Sequence, residues 1–128
     1  MDGLIAQDYS KWVFVAPKPL FTSKLNIIHQ ILVSYSQHIP SNVSEIILCA
    51  SVRTGACIQD RDFRIEIANN GGHTYKHYLF GHGYTQIAWS YNSDQFRFPV
   101  SELRQFSVSV VDGPTGNNEL TIYLIAYR

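Results

Sequence analysis

The residues with the clearest capacity for chemistry are three histidines in a short glycine-punctuated stretch, His73-Thr74-Tyr75-Lys76-His77 followed by Gly81-His82-Gly83. On an extended chain His73 and His77 share a face, so two imidazoles could approach one divalent metal with His82 as a third ligand. A metal-dependent enzyme is the activity such a site would imply. The pattern lacks a His-x-His pair, and no acidic residue lies between Glu66 and Asp94 to complete a ligand set. The expectation is therefore a surface loop whose histidines pack as polar aromatics, with no metal or other cofactor. His29 and His38 are isolated.

Carboxylates and hydroxyls offer a second route to chemistry. Asp60, Asp62, Glu66, Asp94 and Glu102 are available, but hydrolysis needs carboxylates held at a defined separation, or a serine activated by histidine on a strained turn. No Gly-x-Ser-x-Gly elbow occurs, and Asp60-Arg61-Asp62 with Arg64 reads as a solvated charge cluster at the start of a strand. Gly81-His82-Gly83 lacks the further glycines and the helix that a phosphate-binding loop requires. The reading is non-enzymatic, with no catalytic residue assigned.

Aromatic residues carry more information. Tyr75, Tyr78, Phe80, Tyr84, Trp89, Tyr91, Phe96 and Phe98 crowd into one quarter of the chain. Phe96 and Phe98 are expected in the core. Tyrosine and tryptophan present apolar area with a polar tip, suited to a protein interface or to stacking on a sugar ring. Trp12, Phe14, Tyr84, Trp89, Tyr91, Tyr123 and Tyr127 are the candidates for interface or glycan contact.

The elements that must position these residues are strands. Phe63, Ile65 and Ile67 alternate with Arg64 and Glu66; Phe96, Phe98 and Val100 alternate with Gln95, Arg97 and Pro99; Phe106, Val108 and Val110 alternate with Ser107 and Ser109. This period of two marks half-buried strands. Pro99 lacks an amide hydrogen, so its strand should lie at an edge or end there. Ile46 to Val52 reads as a central strand. The last strand, Leu120 to Tyr127, sets Leu120, Ile122 and Leu124 on one face and Tyr123, Ile125 and Tyr127 on the other, a second face too apolar for water. Between strands, Asp112 to Asn118 reads as a hairpin tip, and Asn69-Asn70-Gly71-Gly72 and Asn92-Ser93-Asp94 as turns. Residues 25–36 show near-helical spacing, but Ile27, Ile28, Ile31 and Val33 favour a strand. Trp12 to Ala16 could add an edge strand, after which Pro17 and Pro19 impose an extended connector.

Residues 1–22 thus form an N-terminal arm with a possible edge strand, and residues 23–128 a single domain. Seven to nine short strands with turns between them predict an all-β fold, an antiparallel β-sandwich or barrel. At 128 residues the chain is long enough for one core, and 16% charged residues is low for a globular domain, as expected where a neighbouring subunit covers part of the surface. Ten basic residues balance ten acidic ones without clustering, which argues against nucleic acid. The acidic start Met1-Asp2-Gly3 lacks the basic region of a signal peptide, and the apolar run Ile46 to Ala50 is too short to span a membrane. With Thr54-Gly55 as a tight turn, Cys57 falls opposite Val52 rather than Cys49, so both cysteines are read as free thiols. Asn42-Val43-Ser44 matches a glycosylation sequon, without a secretory signal to make use of it.

The apolar arm, the charge-poor strand-rich body and the chain ending directly in Leu120 to Tyr127 together resemble small jelly-roll modules of virus and bacteriophage particles, such as capsid decoration proteins, fibre knobs and tail components. The resemblance implies a jelly-roll-like sandwich acting as a structural virion protein, made in the host cytoplasm, with a homo-oligomer, a trimer above all, and other virion proteins as partners. The competing reading is a carbohydrate-binding module for host attachment, with Tyr84, Trp89 and Tyr91 as its platform.

Overall fold

Strands with apolar residues at every second position each have one face that must leave water, and two four-stranded sheets meet this demand by closing on one another. The computed structural model describes residues 11–25, 30–55, 61–70, 75–85, 89–112 and 118–128. The strands are β1 (Val13–Leu25), β2 (Ile31–Ser34), β3 (Glu45–Gly55), β4 (Arg61–Asn70), β5 (Lys76–Gly83), β6 (Trp89–Pro99), β7 (Gln105–Asp112) and β8 (Asn118–Tyr127), with a 3-10 turn at Ser36–His38. One sheet has the order β1-β8-β3-β6 and the other β2-β7-β4-β5, so the molecule is an all-β antiparallel sandwich. The pairs β1·β8, β2·β7, β3·β6 and β4·β5 are nested, as in one long hairpin folded at β4–β5. The additional pairs β3·β8 and β4·β7 are those made when that ribbon is rolled up.

The alternation read from sequence becomes the core. Phe63, Ile65 and Ile67 on β4, Phe106, Val108 and Val110 on β7, and Leu120, Ile122 and Leu124 on β8 are buried with Ile46, Leu48 and Val52 of β3 and Phe96 and Phe98 of β6. Phe63 pairs across the strands with Gly81, and its ring fills the space a side chain at 81 would need. At the end where β3 begins, a polar lock joins three segments. Tyr35, fully buried and stacked on Phe106, places its hydroxyl 3.3 Å from both Asn69 Oδ1 and Ser101 Oγ and accepts from Ser101 N–H at 3.1 Å. Asn69 also donates to the Pro99 carbonyl. Arg104, with φ of 51°, donates to the carbonyls of Pro40 and Ser41.

Several sequence expectations are corrected by these pairings. Asn92-Ser93-Asp94 is no turn: it lies inside β6, opposite Val52, Ser51 and Ala50. Thr54 and Gly55 continue β3 opposite Ser90 and Trp89 rather than turning. Asp112 to Asn118 is not a hairpin tip, because β7 and β8 belong to different sheets; residues 113–117 themselves lie outside the described residues. Residues suited to turns serve an arch between sheets as well as a hairpin, so composition alone does not separate the two. Asn69 and Asn70 belong to β4, and Gly81-His82-Gly83 to β5, not to a loop. Pro17 and Pro19 lie within edge strand β1, where its pairing with β8 shifts register between Phe14 and Lys18 and again after Pro19. An edge strand tolerates proline at such irregularities because the missing amide hydrogen costs no ladder bond. Of residues 25–36, Ile31–Ser34 form β2, while 26–29 lie outside the described residues. Pro99 ends edge strand β6, as its missing donor requires.

Two stability effects should follow. Gly81→Ala forces the Phe63 ring from its place and should lower unfolding free energy by about 1–3 kcal/mol, with Phe63→Leu restoring part of the loss in urea titrations. Tyr35→Phe leaves Asn69 and Ser101 with buried unsatisfied groups and should cost about 1–3 kcal/mol, read as a lowered denaturation midpoint at unchanged slope.

Candidate functional site

Strand β5 is one edge of its sheet and β6 one edge of the other, and the two meet along a seam. Stepping back in twos from the buried Phe98 and Phe96 gives Asp94, Asn92 and Ser90 as the rest of the inward face of β6. Phe96 stacks on His77, with centroids 3.9 Å apart and planes 11° from parallel. His77 Nε2 lies 2.9 Å from Asp94 Oδ2 but out of line for a hydrogen bond, so the contact is one of charge when the imidazole is protonated. Asn92 Nδ2 donates to the Phe80 carbonyl, and Ser90 Oγ donates to the His82 carbonyl at 2.6 Å. Side chains of β6 therefore supply the partners that an edge strand otherwise leaves to solvent.

Where the seam runs out at the end opposite Tyr35, it opens into a hollow of about 280 Å³ lined by Val52, Thr54, Phe80, Gly81, His82, Tyr84, Ser90, Tyr91 and Asn92. Phe80 is 60% exposed, Tyr91 69% and Tyr84 38%, so three aromatic rings border an open mouth. His82 Nδ1 is 2.6 Å from Asp62 Oδ1, its cross-strand partner, and its ring lies 4.4 Å from that of Tyr84. Behind Tyr91, Arg53 stacks over Trp89 at 4.1 Å and donates through Nε to Glu119 Oε2 at 2.8 Å. The Arg53 guanidinium is held above its ordinary value by that bond first, against some desolvation, with its cross-strand neighbour Tyr91 adding to the rise. A second hollow, of about 500 Å³, adjoins the first through Phe80 and Gly81 and reaches Asp62, Phe63 and Arg64.

No protein-family model and no curated protein matches this chain.

The candidate residues from sequence separate into groups. Tyr84, Trp89 and Tyr91 come together at the open end. Trp12 is at the other end, beneath Arg128, which pairs with Glu45 at 2.6 Å, and Phe14 is exposed on β1. Tyr123 lies on the outer face of its sheet between Pro19 and Cys49. Tyr127 does not join it there: a register shift between Ile47 and Leu48 sets Tyr127 opposite the buried Ile46, and it packs on the core. His77 and His82 face opposite sides of β5, five residues apart on a strand of period two, and cannot share a metal; His73 lies outside the described residues. Among the described residues no group of three His, Cys, Asp or Glu is placed to hold a metal ion. Sequence reasoning missed Thr54, Ser90 and Asn92. The signal was present in the period of Phe96 and Phe98, which extends backwards onto Ser90 and Asn92.

The ionisable side chains of the seam are paired with one another. Each nearby carboxylate faces an imidazole, Asp62 to His82 and Asp94 to His77, rather than a second carboxylate. The Asp62–His82 pair has the form of the acid–base half of a hydrolytic triad, but Ser90 Oγ donates to the His82 backbone carbonyl instead of the ring. Cys49 is free, and burial first, then the Asp94 carboxylate, raises its thiol above the ordinary value, which opposes formation of a reactive thiolate. Cys57 lies outside the described residues. His77→Ala should remove a stacking partner of Phe96 and lower the Tm, while excess zinc should leave the Tm of the wild-type chain unchanged; a zinc-dependent rise lost in His77→Ala would restore the metal site.

Proposed function

We propose that this chain is a non-enzymatic structural protein of a virus or phage particle, which acts by homo-oligomeric assembly and docking on neighbouring subunits. The observation that carries the reading is the outer face of the β1-β8-β3-β6 sheet. Tyr123 stands there beside Cys49, with Ile47 in the next outward position of β3, and Val13 and Phe14 of edge strand β1 are 48% and 61% exposed. Among the described residues the sandwich has two layers only, and no third layer covers this face. A strip of this kind through Ile47, Cys49 and Tyr123, flanked by Ser51, Thr121 and the Arg53–Glu119 pair, is in a charge-poor chain what a neighbouring subunit would bury.

The nested strand order supports placing the sandwich with jelly rolls, the rolled-ribbon architecture shared by capsid and lectin domains. The sheet edges point the same way. The prolines and register shifts of β1 blunt one edge of the tyrosine-bearing sheet, so partners would meet through faces and ends rather than by extending a sheet. A closed ring of identical copies, a trimer above all, satisfies a heterologous contact of that kind. Its place would be the virion, after synthesis in the host cytoplasm, with other virion proteins as further partners. No described helix is long and apolar enough to cross a membrane.

Light scattering on the purified chain tests the reading. Three or more chain masses are expected, falling to one in a Tyr123→Lys, Ile47→Lys double variant that keeps the wild-type circular dichroism. A strict monomer at high micromolar concentration would overturn it.

A further inference from the structure

We infer that the hollow at the open end of the β5–β6 seam is a binding site for a neutral saccharide, with one pyranose ring seated between Tyr84 and Tyr91. Its size comes first. About 280 Å³ lies at the lower bound of small-molecule sites, which suits a single ring with the rest of the ligand outside. The adjoining hollow beyond Phe80 provides that outside path, along Arg64 and Asp62.

The lining sets the chemical class. Phe80, Tyr84 and Tyr91 offer exposed aromatic faces, which pack against the C–H face of a sugar ring, and the two tyrosines carry polar tips at its rim. The polar groups are mostly acceptors. Asn92 spends its Nδ2 on the Phe80 carbonyl, which leaves Oδ1. Ser90 spends its proton on the His82 carbonyl, which leaves oxygen lone pairs. His82 Nδ1 faces Asp62, so the tautomer that donates there presents Nε2 as an acceptor. Thr54, 2% exposed, adds a hydroxyl at the floor. A wall of acceptors meets the hydroxyl hydrogens of a polyol and repels an anion, whose oxygens bring no protons. No unmatched carboxylate lines the hollow to draw a cation, since Asp62 faces His82 from the neighbouring strand.

The site is also held in shape before any ligand arrives. Ser90 and Asn92 are tied to β5, Tyr84 lies against His82, and Tyr91 stands across the strands from an Arg53 that Glu119 and Trp89 fix in turn. Immobilised side chains lower the ordering cost that weakens small ligands. Tyr123 and Ile47, on which assembly is argued, do not line this hollow, so the site can be tested apart from assembly.

The test is a titration of the full chain, followed by amide chemical shifts, with the methyl glycosides of glucose, galactose, mannose, fucose, N-acetylglucosamine and N-acetylgalactosamine, each to about 50 mM, which saturates a site with a Kd of about 1 mM. Saturable shifts centred on Tyr84, Ser90, Tyr91 and Asn92 with at least one of them are expected. Tyr91→Ala and Tyr84→Ala, both at exposed positions, should each weaken binding by tenfold or more, while Tyr123→Ala should leave it unchanged. Absence of saturable shifts with all six sugars, or shifts centred elsewhere, or binding that survives both seam variants, would overturn the proposal.

Discussion

Every other feature of this molecule depends on one constraint: each strand has a single apolar face, and two sheets have to present those faces to each other at once. On β8 the constraint is plain, since Leu120, Ile122 and Leu124 are buried while Thr121 and Tyr123 between them are only partly covered. With β3 and β8 adjacent in one sheet and β4 and β7 adjacent in the other, the four strands richest in buried side chains occupy the two sheet centres. The strands with proline, short length or polar inward positions are left for the edges. A rolled ribbon delivers this sorting, because its outermost pair, β1·β8, leaves only β1 at an edge, and its innermost pair, β4·β5, leaves only β5.

Edges then become the problem the fold has to manage. β1 meets it with Pro17, Pro19 and an irregular register. β5 meets it differently, by lying against β6 of the opposite sheet and accepting hydrogen bonds from Ser90 and Asn92. The inward face of β6 is apolar where the sandwich is closed, at Phe98 and Phe96, and polar where it opens, at Asp94, Asn92 and Ser90. That gradient along one strand converts a sheet edge into a hollow without breaking either sheet. Gly81 belongs to the same arrangement: its missing side chain admits the Phe63 ring, which closes the core directly behind the hollow.

Much of the fold was legible because period-two patterns survive wherever one face is buried, and the strands around Phe63, Phe96, Phe106 and Leu120 follow from that alone. What failed was the reading of polar residues. Asn92, Ser93 and Asp94 have turn-forming chemistry, and here they lie mid-strand because the side chains at 92 and 94 have partners on β5 that no local pattern reveals. Asp112 to Asn118 was legible as a break but not as a crossing between sheets, since turn residues carry no mark of what the flanking strands pair with. The misplacement of Tyr127 has another cause: one register shift, invisible in the alternation of residue types, moves it from the outer face to the core. The site was half legible. Tyr84, Trp89 and Tyr91 stood out by type, whereas Thr54 and Phe80 join them only through long-range pairing.

The two ends of the sandwich are built for opposite purposes, and this limits where each proposed role can reside. At one end Tyr35, Asn69 and Ser101 lock three segments with buried hydrogen bonds, and Arg104 ties down the carbonyls of Pro40 and Ser41. Satisfied polar groups of this kind fix a unique arrangement and leave no unmet valence for a ligand. At the other end β1 finishes, β2 begins, β3 finishes and β8 begins, and hydroxyl, amide and imidazole groups that each hold one partner in the protein also line a hollow. Assembly through the flat face between the ends would leave the open end pointing outward from a closed ring. In that geometry the proposed building block and the proposed reader of surface sugars would use different parts of one ribbon, the strip at Ile47 and Tyr123 for the first and the aromatic-lined seam for the second.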